Sequence, residues 1–272
     1  MTPEPIAGAL LLAAGLGTRL RPLTDVLPKC LAPIRGRPLL EYWLRDLTQA
    51  GVDRIVVNTH YRADLVETFI ETGPWSDRVV LVREERLLGT GGTLRANAAR
   101  FPKGPLLVAH ADNLSFFDVK AFFAAHAERP AEACLTMMTF TTDEPEQCGI
   151  VSTDARGLVD AFHEKVASPP GNHANAAVYI VEPEVVAYIE SLGRDLVDIS
   201  TEVLPHFLGR MTTWHNTGYH RDIGNLPAWR TAQREYPGPV PIAAEDDPWL
   251  RILAALGPEG VETIEELLAE TD

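Results

Sequence analysis

Short apolar runs alternate with stretches of helical periodicity through the first half of the chain. Ala9-Leu10-Leu11-Leu12-Ala13 is apolar at every position, the pattern of a strand buried on both faces, and a glycine-rich turn follows it. From Pro38 to Ala50, residues Leu39, Leu40, Trp43, Leu44 and Leu47 fall on one helical face. Proline near the start and Gly51 just past the end complete the signature of a helix. Arg54 to Asn58, Val79 to Val82 and Leu106 to Ala109 read as strands, separated by helical patterns near 63–72 and 93–99. This βαβαβαβ order predicts a Rossmann-like α/β fold, a mixed, mostly parallel sheet flanked by helices, with ligands outside the carboxyl ends of the strands. The second half is richer in strands, at 134–140, 149–152, 158–163 and 176–181, with a helical pattern at 184–192. It reads as an extension of the same domain.

Pro237, Pro239, Pro241 and Pro248 break up residues 237–248, which suits an extended linker. Two short amphipathic patterns follow, at 249–256 and 261–268. The expected organisation is an α/β domain over residues 1–236, then a Pro-rich linker and acidic helical tail over 237–272, the tail packing on its own body.

Charge and composition narrow the partners. The net charge is −14, but residues 235–272 carry ten acids against one base, Arg251, which leaves the first 234 residues at −5. That balance opposes nonspecific binding to nucleic acid or to an anionic membrane, yet it admits a small anionic substrate wherever local cations meet it. No apolar run approaches the length that spans a bilayer and the N-terminus lacks a signal-peptide layout, so a cytoplasmic location is expected. Cys30, Cys134 and Cys148 are widely spaced and form no CxxC pair, which indicates neither a disulfide framework nor a zinc site. A homo-oligomer is compatible with the sequence.

The chemistry concentrates after the first strand. Gly15 and Gly17 let backbone N–H groups approach phosphates with no Cβ in the way. No Gly-Lys-Ser/Thr follows, so this is not a Walker A loop, and Leu20 stands where a dinucleotide fingerprint wants glycine. Arg19 and Lys29 flank Pro22 and Pro28, so a stiffened loop could bring both charges onto one phosphate chain. Asp112 follows an apolar strand, where a carboxylate can hold a metal over phosphates, although alone it reads as a turn-forming residue. Asp222, in Tyr219-His-Arg-Asp-Ile-Gly-Asn225, is a second candidate.

Gly15 to Leu20, Pro22 to Thr24 and Pro28-Lys29-Cys30-Leu31-Ala32-Pro33 resemble the G-x-G-T-R-L, P-L-T and P-K-x-L-x-P signature of the sugar-nucleotide pyrophosphorylase family. The look is nearest to mannose- and heptose-1-phosphate guanylyltransferases, and the resemblance runs from about Leu10 to about Arg234. It implies that Ala14, Gly15, Gly17, Thr18, Arg19 and Lys29 grip a nucleoside triphosphate. It also implies that Asp112 and Asp222 chelate Mg²⁺, with Ala111, His220 and Asn225 departing from the family's usual neighbours. Glu84 to Gly92 is similar to the guanylyltransferases' E-x-x-P-L-G-T-[AG]-G loop, with Leu87 in place of proline. This brings Glu84, Gly89 and Thr90 to the nucleotide, the Glu84 carboxylate accepting from guanine's two adjacent donors.

On the sugar side, Cys148-Gly149-Ile150-Val151 and Phe162-His163-Glu164-Lys165 resemble elements in which Gly149, Glu164 and Lys165 meet the sugar phosphate. Asn175-Ala-Ala-Val-Tyr179 is similar to N-A-G-x-Y, with Ala177 replacing glycine, and Asp198 lies in a segment that borders the sugar in such relatives. The implied reaction is Mg²⁺-dependent transfer of a nucleoside monophosphate from an NTP, with GTP favoured, to a sugar 1-phosphate, and Arg19, Lys29 and Lys165 as catalytic cations. Uridylyl or cytidylyl transfer to a sugar 1-phosphate or a phosphorylated alcohol, and a non-catalytic nucleotide-sugar-binding subunit, are the competing readings.

Overall fold

The apolar segment near the N-terminus forms the strand Gly8–Leu12, buried at all five positions, as a strand covered on both faces must be. The computed structural model describes residues 5–243 and 245–270. The fold is of the α/β class, with a mixed, mostly parallel sheet flanked by helices. The chain divides into two units, each discontinuous in sequence. One comprises the described residues up to Leu10, Leu87–Ala109 and Phe117–Thr217; the other comprises Leu11–Arg86, His110–Phe116 and Gly218 onward.

In the second unit the expected helix spans Leu39–Gln49 and buries Leu39, Leu40, Tyr42, Trp43, Leu44 and Leu47. Burying each such leucine stabilises the fold by roughly 1.5–3 kcal/mol relative to exposure. The chain leaves the helix through Gly51 at φ +92°, a left-handed conformation that a Cβ would strain. The parallel strands Ile55–Thr59 and Val79–Arg83, joined by the helix Ala63–Glu71, pair from Ile55↔Val79 to Thr59↔Arg83. A short antiparallel ladder joins Asn113–Phe116 to Tyr219–Asp222.

The C-terminal helix Pro248–Ala269 bends at Gly257. Its buried Ile252, Ile264 and Leu267 account for both amphipathic patterns, and it packs on the helices Ala63–Glu71 and Leu23–Val26 of the same unit. Asp247 caps it by accepting the Trp249 N–H at 3.0 Å. Arg37, buried, donates from Nη2 both to Asp247 Oδ1 (2.9 Å) and to Glu41 Oε1 (2.8 Å). One guanidinium therefore ties the tail to the helix Leu39–Gln49.

In the first unit the strand His173–Val181 pairs antiparallel with Leu106–His110, Leu135–Thr141 and Gly149–Thr153. Gly149–Thr153 pairs in turn with Val159–Glu164, and Met211–His215 runs parallel to Leu135–Thr141. The ladder with Leu135–Thr141 loses register between Asn175 and Tyr179. Two elements here escape the hydrophobic pattern. The helix Val119–Ala127, capped by Asp118, blurs its apolar stripe with alanines, and Met211–His215 is a strand through its pairing rather than its alternation. Among the described residues no helix is long and apolar enough to cross a membrane, and Cys30, Cys134 and Cys148 are free thiols.

Candidate active site

The glycine loop after the first strand is built by close packing. Gly17 has φ +63°, and a Cβ there would lie 2.8 Å from Thr24 Cγ2 and 3.2 Å from Lys29 Cβ. The Thr24 hydroxyl donates to Gly17 O at 2.8 Å and fixes the turn. Gly15, Thr18 and Arg19 stay exposed, whereas Ala14 is buried. A Cβ on Gly15 would stand 3.9 Å from Asp112 Oδ2, so the loop backbone runs beside that carboxylate.

Lys29 is buried in the turn Lys29–Leu31. Its Nζ donates to Asp112 Oδ2 at 3.0 Å and to Asp222 Oδ1 at 2.9 Å. The two carboxylates come from positions 110 residues apart, and the antiparallel ladder explains their meeting: it pairs Asp222 with Asn113, the neighbour of Asp112. Arg19 Nη2 approaches Asp222 Oδ2 at 3.9 Å. Arg19 and Lys29 therefore converge on one carboxylate.

Burial pulls the Lys29 pKa down, but Asp112 and Asp222 outweigh it and hold the ammonium above its ordinary range. For Asp112, burial pushes up while Lys29 and then His110 pull down, and the carboxyl ends below its usual range. Both pairings favour the charged forms. The departures from the family pattern fit locally. Ala111 is fully buried and donates its N–H to Leu12 O at 3.0 Å, and Asn225 caps the helix Leu226–Glu235 by accepting the Ala228 N–H. His220 bonds Ser115 Oγ through Nδ1 at 2.8 Å, and burial depresses its pKa to about 4, so it is neutral at pH 7.

Glu84 is buried beyond the end of Val79–Arg83. Its Oε1 accepts from Asn58 Nδ2 at 3.0 Å, and Asn58 Oδ1 accepts the Ala13 N–H at 2.8 Å. His60 Nδ1 meets Glu84 O at 2.8 Å. Sequence reading missed Asn58 and His60. Their signal was a polar residue ending an otherwise apolar strand, Val57-Asn58-Thr59, at the carboxyl end where ligands gather.

The other expected residues belong to the first unit. Gly149 faces Glu164 across a ladder position, and a Cβ on it would lie 2.6 Å from Glu164 Oε2. Lys165, 65% exposed, reaches Glu164 Oε1 at 3.6 Å and sits at φ +50°, held by its N–H bond to Cys148 O. Asn175 and Asp198 both lie near Tyr179: Asn175 donates to its hydroxyl at 2.7 Å, and Asp198 acts on its ionisation. Gly89 and Thr90 begin the helix Gly89–Asn97, and the Thr90 hydroxyl donates to Asp198 at 3.3 Å. The expected residues thus fall into two constellations. Arg19, Lys29, Asp112 and Asp222 meet in one unit, with Glu84 oriented by Asn58; Gly149, Glu164 and Lys165, together with Thr90, Asn175 and Asp198, lie in the other.

Comparison with known proteins bears on the family of the chain. A family model described as nucleotidyl transferase matches residues 8–237. Over 221 residues the chain is 32% identical to the mannose-1-phosphate guanylyltransferase of Mycobacterium tuberculosis, aligning 79% of this chain with 60% of that protein. It is also 32% identical over 247 residues to the UTP–glucose-1-phosphate uridylyltransferase of Synechocystis sp., covering 83% and 62% respectively. The chain spans about 60% of the length of these curated relatives. The structure of HddC from Yersinia pseudotuberculosis complexed with GMP-PN shares the fold, with TM-score 0.70 and 24% identity over 85% of this chain and 100% of that one.

Proposed function

The chain belongs to the nucleotidyl transferase family, and from that premise we propose that it moves a nucleoside monophosphate from an NTP, preferably GTP, to a sugar 1-phosphate. The observation that carries this reading is the convergence of Arg19, Lys29, Asp112 and Asp222 beside the exposed Gly15 turn. An oxygen of the sugar 1-phosphate attacks the α-phosphorus. The new P–O bond forms as the bond between the α-phosphorus and its bridging oxygen breaks, and pyrophosphate leaves with that electron pair. Such displacement needs alignment and charge neutralisation rather than a protein nucleophile. Arg19 holds the departing pyrophosphate, Lys29 stabilises charge at the α-phosphate, and Lys165 neutralises the incoming 1-phosphate.

The acidic pair fits a hard divalent cation. Its oxygens already converge on one positive centre, and the side chains keep 30% and 54% of their exposure. Among the described residues no three His, Cys, Asp or Glu side chains could hold a metal together. Two protein oxygens completed by phosphate and water is the Mg²⁺ pattern rather than that of a closed zinc site. Asp112 and Asp222 would hold Mg²⁺, which when bound supplies charge neutralisation at the phosphates.

Guanine preference rests on Glu84, whose carboxylate is aimed by Asn58, because adjacent N–H donors on a base edge match one carboxylate. The 32% identity to a uridylyltransferase supports uridylyl transfer as a second reading. Pyrophosphate release is to be measured for four NTPs against a panel of sugar 1-phosphates, with and without Mg²⁺. Turnover with GTP above the other three is the expected result. Turnover with UTP alone selects the second reading, and no turnover with any pair overturns both.

A further inference from the structure

We propose that Thr90 and Tyr179 are positioning residues that clamp the Asp198–Ser200 turn from two sides, so that this turn shapes the sugar 1-phosphate site. The inference rests on the nucleotidyl transfer proposed above, and every residue in it belongs to one unit.

The turn is closed first on itself. Asp198 Oδ1 accepts from the Thr201 N–H and hydroxyl, both at 2.9 Å, while its own N–H donates to Glu202 Oε2 at 2.7 Å. This reciprocal cap leaves Asp198 Oδ2 and the Ile199 N–H pointing outward, and Thr90 takes both. Its hydroxyl donates to Asp198 Oδ2 at 3.3 Å and accepts the Ile199 N–H at 2.7 Å.

The glycines beside Thr90 serve the same contact. Gly91 and Gly92 donate their N–H groups to Val197 O at 2.9 and 3.2 Å, and the Val197 N–H returns to Leu88 O at 3.1 Å. A Cβ on Gly92 would lie 2.0 Å from Asp195 O, and one on Gly89 2.5 Å from Val197 O. Two backbones touch there, and the N–H groups of Gly91 and Gly92 are spent on protein rather than on phosphate.

From the strand His173–Val181, Tyr179 is fully buried, with Ser200 and Asp198 near enough to its hydroxyl to act on its ionisation. Its hydroxyl accepts from Asn175 Nδ2 at 2.7 Å, while Asn175 Oδ1 accepts the Ala177 N–H at 2.9 Å. The Asn175 amide is thus committed at both ends. It holds Ala177 at φ +54° across the stretch where the strand loses register, a bulge of the kind that re-aims side chains at sheet rims. Asn175 therefore acts on this stretch through Tyr179 and Ala177. Glu164, expected from its motif to meet the sugar phosphate, is close enough to act on Tyr179 as well.

Thr90→Val keeps the shape but removes the hydroxyl, and Tyr179→Phe removes the other clamp; Thr90→Ser retains the hydroxyl as a control. The full chain is to be followed by amide hydrogen exchange at Val197, Ile199 and Thr201 and by steady-state kinetics. Each loss variant is expected to speed exchange at Ile199 and Thr201 about tenfold, the effect of one hydrogen bond. It should raise KM for the sugar 1-phosphate by about the same factor and leave KM for the NTP within about twofold. Thr90→Ser should restore both readouts. Unchanged exchange in both loss variants overturns the clamp, as does a rise in KM for the NTP alone. Should one variant fail to fold, the other carries the same test. Exchange needs no substrate, so it decides the clamp even if the wild-type chain releases no pyrophosphate and the functional reading fails.

Discussion

Lys29→Met removes one charge and little volume from the point where two carboxylates meet. Two unit charges 3 Å apart attract by about 1.4 kcal/mol at the dielectric of water and about 5.5 kcal/mol at an effective value of 20. Lys29 makes two such contacts with its side chain only 7% exposed, but its partners retain 30% and 54% exposure. The lower part of that range therefore applies, and relief of the ammonium's desolvation offsets part of it. What stays uncompensated is the repulsion between Asp112 and Asp222. We expect a net loss of about 2–3 kcal/mol, or roughly 5–8 °C in Tm for a chain of this size. Turnover should fall by about two to four orders of magnitude, since the proposed mechanism uses this cation to stabilise developing phosphate charge.

Thermal unfolding with and without Mg²⁺, beside pyrophosphate release, reads all three quantities. With the ammonium gone, the acidic pair should bind a cation more readily, so Mg²⁺ should raise the Tm of Lys29→Met more than that of the wild type. A variant as stable as wild type, with an equal response to Mg²⁺, would refute the claim that Lys29 holds the pair together. Near-native turnover would remove Lys29 from the chemistry.

Three further outcomes follow from the same structure. Arg37→Met leaves Glu41 and Asp247 facing each other in a site where all three side chains are at most 9% exposed; urea unfolding should report a loss of about 3–5 kcal/mol, and a loss below 1 kcal/mol would mean the tail docks by its apolar face alone. Gly149→Ala places a Cβ 2.6 Å from Glu164 Oε2 and 2.7 Å from Phe162 Cζ, so KM for the sugar 1-phosphate should rise while KM for the NTP holds; the reverse pattern would take Glu164 out of the sugar site. His126 is held neutral, its pKa pushed down to about 3 by burial and then by Arg129, while Arg129 engages the Glu182 oxygen that its Nε2 meets at 3.2 Å. The unfolded chain takes up this proton below about pH 6.5 and the folded chain only near pH 3, so the stabilisation is complete above 6.5 and declines by roughly 1.4 kcal/mol per unit as pH falls between those values. Urea midpoints of wild type and His126→Gln at pH 7, 6 and 5 should converge as the pH falls, and a constant gap would contradict it.

Periodicity alone located most elements near their observed bounds, among them the buried strand Gly8–Leu12, the helix Leu39–Gln49 and both tail patterns. Each of these buries an unbroken run or a single clean stripe, and that burial is written locally. The Gly15 to Pro33 motif likewise marked the turn that carries Lys29 to the two carboxylates, because left-handed turns and stiff prolines are properties of the residues themselves. Tertiary structure decided what depended on partners distant in the chain. The ladder that sets Asp222 beside Asp112 pairs strands more than a hundred residues apart, and the aim of Glu84 comes from Asn58 on a neighbouring strand. Thr90, read from its motif as a nucleotide contact, turns its hydroxyl to Asp198 and Ile199 because the glycines around it let a segment a hundred residues away come within touching distance. A residue's type limits what it can bond; which bond it makes is set by the groups that folding brings within 3 Å.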